Sequence, residues 1–189
     1  MTLGEAAEYG AKELCGLKTP LADCEILLAF ALSESRLFVK THPERLLSQR
    51  EEAAFREFVA RRKNNCPIAY ITGRKEFLGL ELFAAPGALV PRPETELVAE
   101  EAARLLAGKK APRVCDMGTG SGALAVGLGT LVAGCFVTAC DVSAEALAVA
   151  EKNVKRFGLE NRTELVLSDW FSALEGRRFD MIVSNPPYI

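Results

Sequence analysis

Two stretches of the chain hold residues whose types and spacing can do chemistry. The first is Asp116-Met117-Gly118-Thr119-Gly120-Ser121-Gly122. Glycines at alternate positions let bare backbone approach a ligand and open the next helix, whose N-terminus favours negative charge. A dinucleotide fingerprint spaces its glycines G-x-G-x-x-G. Here the third glycine arrives one residue early, and Asp116 stands two residues before the first. An acidic group there repels a pyrophosphate but meets the ammonium of an amino-acid tail, such as that of the sulfonium cofactor S-adenosylmethionine. Asp116, Gly118, Thr119, Gly120 and Gly122 are therefore candidate cofactor contacts. The second stretch is Asn185-Pro186-Pro187-Tyr188. Two prolines remove two backbone donors and fix φ, which leaves rigid carbonyls pointing outward. An –NH2 group can give one hydrogen to the Asn185 side-chain oxygen and the other to the Pro186 carbonyl. Tyr188 offers a flat face for stacking. The two stretches together imply methyl transfer to an amide or amine nitrogen, with Asn185, Pro186 and Tyr188 catalytic, Pro187 completing the substrate clamp, and Asn185 also a candidate cofactor contact.

These residues need a scaffold, and the sequence supplies one from Arg113 onward. Arg113–Asp116, Cys135–Asp141, Glu164–Leu167 and Phe179–Ser184 read as short apolar strands. Helices follow over Ala123–Leu131 and from Ser143 to about Phe157. Alternation of this kind means a parallel sheet wrapped by helices, with ligands at the carboxyl ends of the strands. Asp116, Asp141, Asp169 and Asn185 all fall at or just past such ends. Asp141 can accept two hydrogen bonds from a ribose diol. Asp169 can accept from an adenine amine, with Trp170 or Phe171 packed nearby.

The first 65 residues read as a helical bundle with no catalytic constellation, suited to recognising a partner. Its helices run through Leu14, from Pro20 to Leu32, from Pro43, and from about Glu51 to Lys63, the last burying Phe55, Phe58 and Val59 on one face. Residues 66–90 read as a structured β-hairpin linker, from Tyr70-Ile71-Thr72-Gly73 through Leu82-Phe83. Residues 91–189 form the cofactor domain. It opens with Val90-Pro91-Arg92-Pro93-Glu94-Thr95-Glu96 and a helix to about Ala107. Arg92 and Glu94 lie on this stiff loop, where a site role and a helix-start role are both open.

Composition narrows the function classes. The chain has 189 residues, a formal net charge of −2, six cysteines and one histidine. No Cys-x-x-Cys pair occurs, so a structural zinc site is not expected, and the cysteines read as buried free thiols. His42 reads as a surface residue at a helix entry. Arg61-Arg62-Lys63 is the one compact basic run and reads as a solvated helix end. No basic face grips a phosphate backbone, so direct nucleic-acid binding is not expected. No signal pattern or membrane-length apolar run occurs, which points to the cytoplasm.

The motifs together resemble the HemK/PrmC family. The resemblance is carried by the glycine loop, Asp141-Val142-Ser143, Ser168-Asp169-Trp170-Phe171 and Asn185-Pro186-Pro187-Tyr188. It also includes Pro67-Ile68-Ala69-Tyr70-Ile71-Thr72-Gly73, Glu76-Phe77 and Val90–Glu96. It implies a Rossmann-like class I methyltransferase sheet with S-adenosylmethionine as cofactor. It further implies methylation of the side-chain amide N5 of the Gly-Gly-Gln glutamine in class-1 peptide chain release factors. In that family the sheet continues past the Asn-Pro-Pro-Tyr strand, so this chain reads as C-terminally truncated after the fourth strand. Other classes compatible with these residues are an adenine N6 DNA methyltransferase, which uses Asn-Pro-Pro-Tyr on a flipped base, and a cofactor-binding fragment without activity. A dinucleotide oxidoreductase fits the fold but not the glycine spacing.

Overall fold

The computed structural model describes residues 1–186 and divides into two compact units, Met1–Thr72 and Gly73–Ile189. Pro187, Tyr188 and Ile189 lie outside the described residues, so the substrate roles expected of Pro187 and Tyr188 have no structural counterpart here.

The first unit contains α1 (Leu3–Glu13), α2 (Pro20–Leu32), α3 (Arg36–Thr41), α4 (Gln49–Lys63) and α5 (Ile68–Thr72). Capping boxes start α1 (Thr2 with Glu5) and α4 (Ser48 with Glu51), so two orphan amides at each start find partners. Leu3, Leu14, Leu27, Leu28, Phe55 and Val59 build the core between α1, α2 and α4. The basic run closing α4 is less solvated than expected. Arg62 Nε donates to the buried carboxylate of Asp23 at 2.7 Å, and Arg61 donates to the Tyr70 carbonyl. Two expectations change. The short helix precedes Pro43 rather than following it, so His42 caps a helix C-terminus and stacks on Phe38. Tyr70–Thr72 is helical, as the end of α5: a five-residue run after a proline is too short for periodicity to separate strand from helix.

The second unit opens with the antiparallel hairpin β1 (Arg74–Phe77) and β2 (Leu80–Phe83). Its two-residue turn, Leu78-Gly79, has both φ values positive, the geometry that matches strand twist. Then come α6 (Glu94–Leu105), β3 (Arg113–Met117), α7 (Ala123–Leu131), β4 (Phe136–Asp141), α8 (Ala144–Arg156), β5 (Thr163–Leu167) and β6 (Met181–Ser184). The four sheet strands are parallel in the order β5-β4-β3-β6. Side chains alternate across β3: Val114 points into the main core with Leu124, Val126, Ala99 and Phe77, while Cys115 and Met117 point to the other face.

The chain progresses β3 to β4 to β5 in one direction and then returns to the far side of β3. Right-handed crossovers therefore place α7 and α8 on one face and the β5–β6 connection on the other. Among the described residues that second face is covered by the irregular segment 168–180, through Leu174 and Phe179. The strand order reverses between β3 and β6, so the carboxyl ends of those strands flank the crevice where such sheets bind ligands. Four cysteines are buried, Cys66 is half-buried and Cys15 is exposed. Among the described residues no helix is long and apolar enough to cross a membrane.

Candidate active site

One cavity of about 410 Å³ opens at that reversal point. Its floor is the glycine loop, where Gly118, Gly120 and Gly122 all have positive φ. The amides of Gly118 and Thr119 both donate to the Cys140 carbonyl at 2.9 Å, which ties the loop to the end of β4. A Cβ added to Gly118 or Gly120 would meet no atom within 4 Å, and both residues line the cavity. Gly122 does not line it. A Cβ there would come within 3.1 Å of Ala150 Cβ, so this glycine serves the contact between the start of α7 and α8. Of the three loop glycines expected at the cofactor, Gly122 is thus the one that packs on α8 and does not line the cavity.

Asp116 is fully buried beneath the loop. Its Oδ2 accepts from the Thr119 hydroxyl at 2.6 Å, while Oδ1 has no hydrogen-bond partner. Burial pushes its carboxyl from the ordinary 3.8 up to about 6, against the Thr119 bond and the field of the Ala125 amide. An orphaned buried carboxylate oxygen is costly and suits a cationic ligand group. Between pH 3.8 and about 6 the unfolded chain ionises this residue before the folded chain does. Its burden on stability is thus absent below pH 3.8, grows as pH rises to about 6, and amounts to about 3 kcal/mol above that. Asp116→Asn is expected to be at least as stable as wild type at pH 8 and to lose relative stability at pH 4, measured by urea unfolding at both pH values. A variant much less stable than wild type at pH 8 would contradict this.

Asp141 closes the other side. Its Oδ2 accepts from the Gly120 amide and its Oδ1 from the Ser143 amide, each at 2.9 Å. Each oxygen keeps a lone pair, so the carboxylate clasps the loop and can still accept from a diol. Asp169 and Trp170 also line the cavity and are exposed. Trp170 sits at φ 48°, held where Ser168 Oγ donates to its carbonyl at 2.7 Å. Asn185 and Pro186 complete the rim. Asp116, Gly118, Thr119, Gly120, Asp141, Asp169, Trp170, Asn185 and Pro186 therefore converge on one space.

Residues the motifs did not single out hold this space together. Asn153 of α8 is fully buried. Its Nδ2 donates to the carbonyls of Phe83 and Ser121, and its Oδ1 accepts from the Phe83 amide. It thus joins the glycine loop to the strand that leads into the cavity wall at residues 87–92. That wall approaches α8 closely: a Cβ at Gly87 would lie 3.0 Å from Glu145 Cβ. In the Pro-Arg-Pro-Glu-Thr-Glu stretch, Arg92 lines the cavity and Glu94 does not. Glu96 accepts from the Leu78 amide at the hairpin turn, and buried Thr95 accepts from Asn185 Nδ2 at 2.7 Å.

Comparison with known proteins gives this geometry a family. Residues 5–73 match the PrmC N-terminal domain and residues 95–189 the Methyltransferase small domain. The release factor glutamine methyltransferase of Koribacter versatilis is 43% identical over 192 residues, covering 100% of this chain and 68% of the relative. The chain belongs to the release factor glutamine methyltransferase family. Family members from Pseudomonas aeruginosa and Escherichia coli are 48% and 38% identical over 88% and 94% of the chain. The chain spans only 60% and 63% of those two proteins. Among solved structures, the T. thermophilus 16S rRNA N2 G1207 methyltransferase in complex with AdoMet and guanosine aligns with a TM-score of 0.53 and 27% identity. That alignment covers 61% of this chain and 32% of that one. A SAM-dependent methyltransferase from Agrobacterium tumefaciens, at a TM-score of 0.51 and 21% identity over 60% of this chain and 39% of that one, shares the fold. The sheet is that of S-adenosylmethionine-dependent methyltransferases, as the family motifs imply.

Proposed function

We propose that this cavity binds S-adenosylmethionine and that the protein methylates the side-chain amide N5 of the Gly-Gly-Gln glutamine in class-1 release factors. The observation that carries this reading is the position of Asn185 and Pro186, which share one cavity with the glycine loop and Asp141. Family membership supports the substrate. On this reading Asp116 and the backbone of Gly118 and Gly120 hold the amino-acid tail, Asp141 the ribose, and Asp169 with Trp170 the adenine. Bound there, the cofactor supplies an electrophilic sulfonium methyl. The protein's own task is to make a poor nucleophile competent, because an amide lone pair is delocalised into its carbonyl. Asn185 Oδ1 and the Pro186 carbonyl accept the two amide hydrogens and so favour charge build-up on nitrogen. They also fix its approach; positioning alone contributes about 7–11 kcal/mol in well-oriented reactions. Tyr188 stacks on the planar amide, and the amide proton leaves after transfer. The helical unit helps to hold the release factor. The protein works in the cytoplasm without direct nucleic-acid contact.

Asp141→Ala is expected to weaken binding of S-adenosylhomocysteine by about 10–100-fold, since it loses the diol acceptor and unclasps Gly120. Calorimetric titration checks this, and unchanged affinity would remove Asp141 from the site. The function is tested by offering the full-length protein methyl-labelled S-adenosylmethionine together with a class-1 release factor and adenine-containing DNA. Label on the release factor alone is expected. Label on DNA would favour a base-methylating enzyme instead.

A further inference from the structure

We infer that Thr95 is a positioning residue for the methyl-acceptor site, acting through Asn185. The inference rests on the function proposed above and adds a residue to its machinery. Thr95 is in the first turn of α6 and only 6% exposed, yet it lines the cavity together with Asn185. Its Oγ1 accepts from Asn185 Nδ2 at 2.7 Å, between residues 90 apart in sequence. The chain approaching α6 contains Pro91 and Pro93, which fix two φ angles. The Thr95 amide donates to the Arg92 carbonyl at 3.0 Å. Thr95 is itself β-branched, with restricted χ1. The hydroxyl is therefore held in place from the backbone outward. An asparagine following the last strand of the described sheet otherwise rotates about χ2 at little cost, since that torsion is broad and roughly two-fold. A half-turn exchanges Oδ1 for Nδ2 and presents a donor to a substrate –NH2 group, which needs an acceptor. The bond from Asn185 Nδ2 to Thr95 holds one end of the amide and restrains that rotation, so less ordering of the side chain is left for the substrate to impose when it arrives.

The test uses the full-length protein with Thr95→Val, which keeps the shape and removes the hydroxyl, and Thr95→Ser, which restores it. Thr95→Val is expected to lower kcat on the release factor about 10-fold, with affinity for S-adenosylhomocysteine and the melting temperature near wild type. Thr95→Ser is expected to recover most of the loss. In parallel, the Asn185 side-chain amide protons, followed by NMR, should exchange with solvent faster in Thr95→Val than in wild type or Thr95→Ser. Unchanged exchange, or a kcat loss that tracks melting temperature and is not recovered by serine, would overturn the inference. If wild type fails to methylate the release factor, the function is wrong, while the exchange measurement still decides whether Thr95 holds Asn185.

Discussion

Asn185→Ala is expected to lower turnover on the release factor by about 10²–10³-fold while cofactor affinity changes by less than a few fold. The asymmetry follows from where the side chain sits. Asp116, Asp141 and the glycine loop define the cofactor side of the cavity without help from Asn185: their hydrogen bonds run among themselves and to Cys140, Thr119 and Ser143. Asn185 is anchored on a different element, through Thr95 on α6. Truncation removes the acceptor on which the amide nitrogen is to be oriented and leaves the loop untouched. The hydrogen bond to Thr95 is lost as well, at a cost to stability of about 1 kcal/mol, too little to unfold the domain. Single-turnover rates and calorimetric affinities for the same variant check this. Parallel losses of rate and affinity would mean that Asn185 serves cofactor binding and that the acceptor site lies elsewhere.

The second large effect is on stability. Asn153→Ala is expected to destabilise the second unit by about 2–4 kcal/mol, because Phe83 N–H, Phe83 C=O and Ser121 C=O each lose a partner and unpaired buried polar groups are expensive. Asn153→Asp is expected to cost more than alanine. The carboxylate keeps the bond from the Phe83 amide but turns acceptor oxygen toward two carbonyls at a fully buried position. Urea unfolding of both variants checks the order. A loss below about 0.5 kcal/mol for alanine, the scale of an ordinary surface change, would show that the network is incidental.

Asn153 and Thr95 also mark the limit of what the sequence makes legible. The glycine loop, Asp141 and Asn-Pro-Pro are local patterns: each announces itself within a few residues and sits where strand-helix alternation says a ligand rim should be. The bounds of α7 are readable for the same reason, since a glycine loop starts it and an apolar helical run continues it. The partners of Asn153 and Thr95 are 32 to 90 residues distant, and no spacing rule links them. Gly122 shows the opposite case. It belongs to the motif by spacing, yet its neighbour is Ala150 rather than the cavity, because only the helix that follows decides which glycine faces out. The helix at Tyr70–Thr72 was hidden by β-branched and aromatic residues in a run too short to show a period.

The most direct measurement asks which atom receives the methyl group. A class-1 release factor is incubated with the full-length protein and S-adenosylmethionine, digested, and mapped by fragmentation mass spectrometry, with nitrogen-15 in the glutamine side chains to identify the amide. One added methyl is expected on the side-chain nitrogen of the Gly-Gly-Gln glutamine, strongly reduced with Asn185→Ala. A methyl group on any other residue, or undiminished transfer by that variant, would contradict the proposed function.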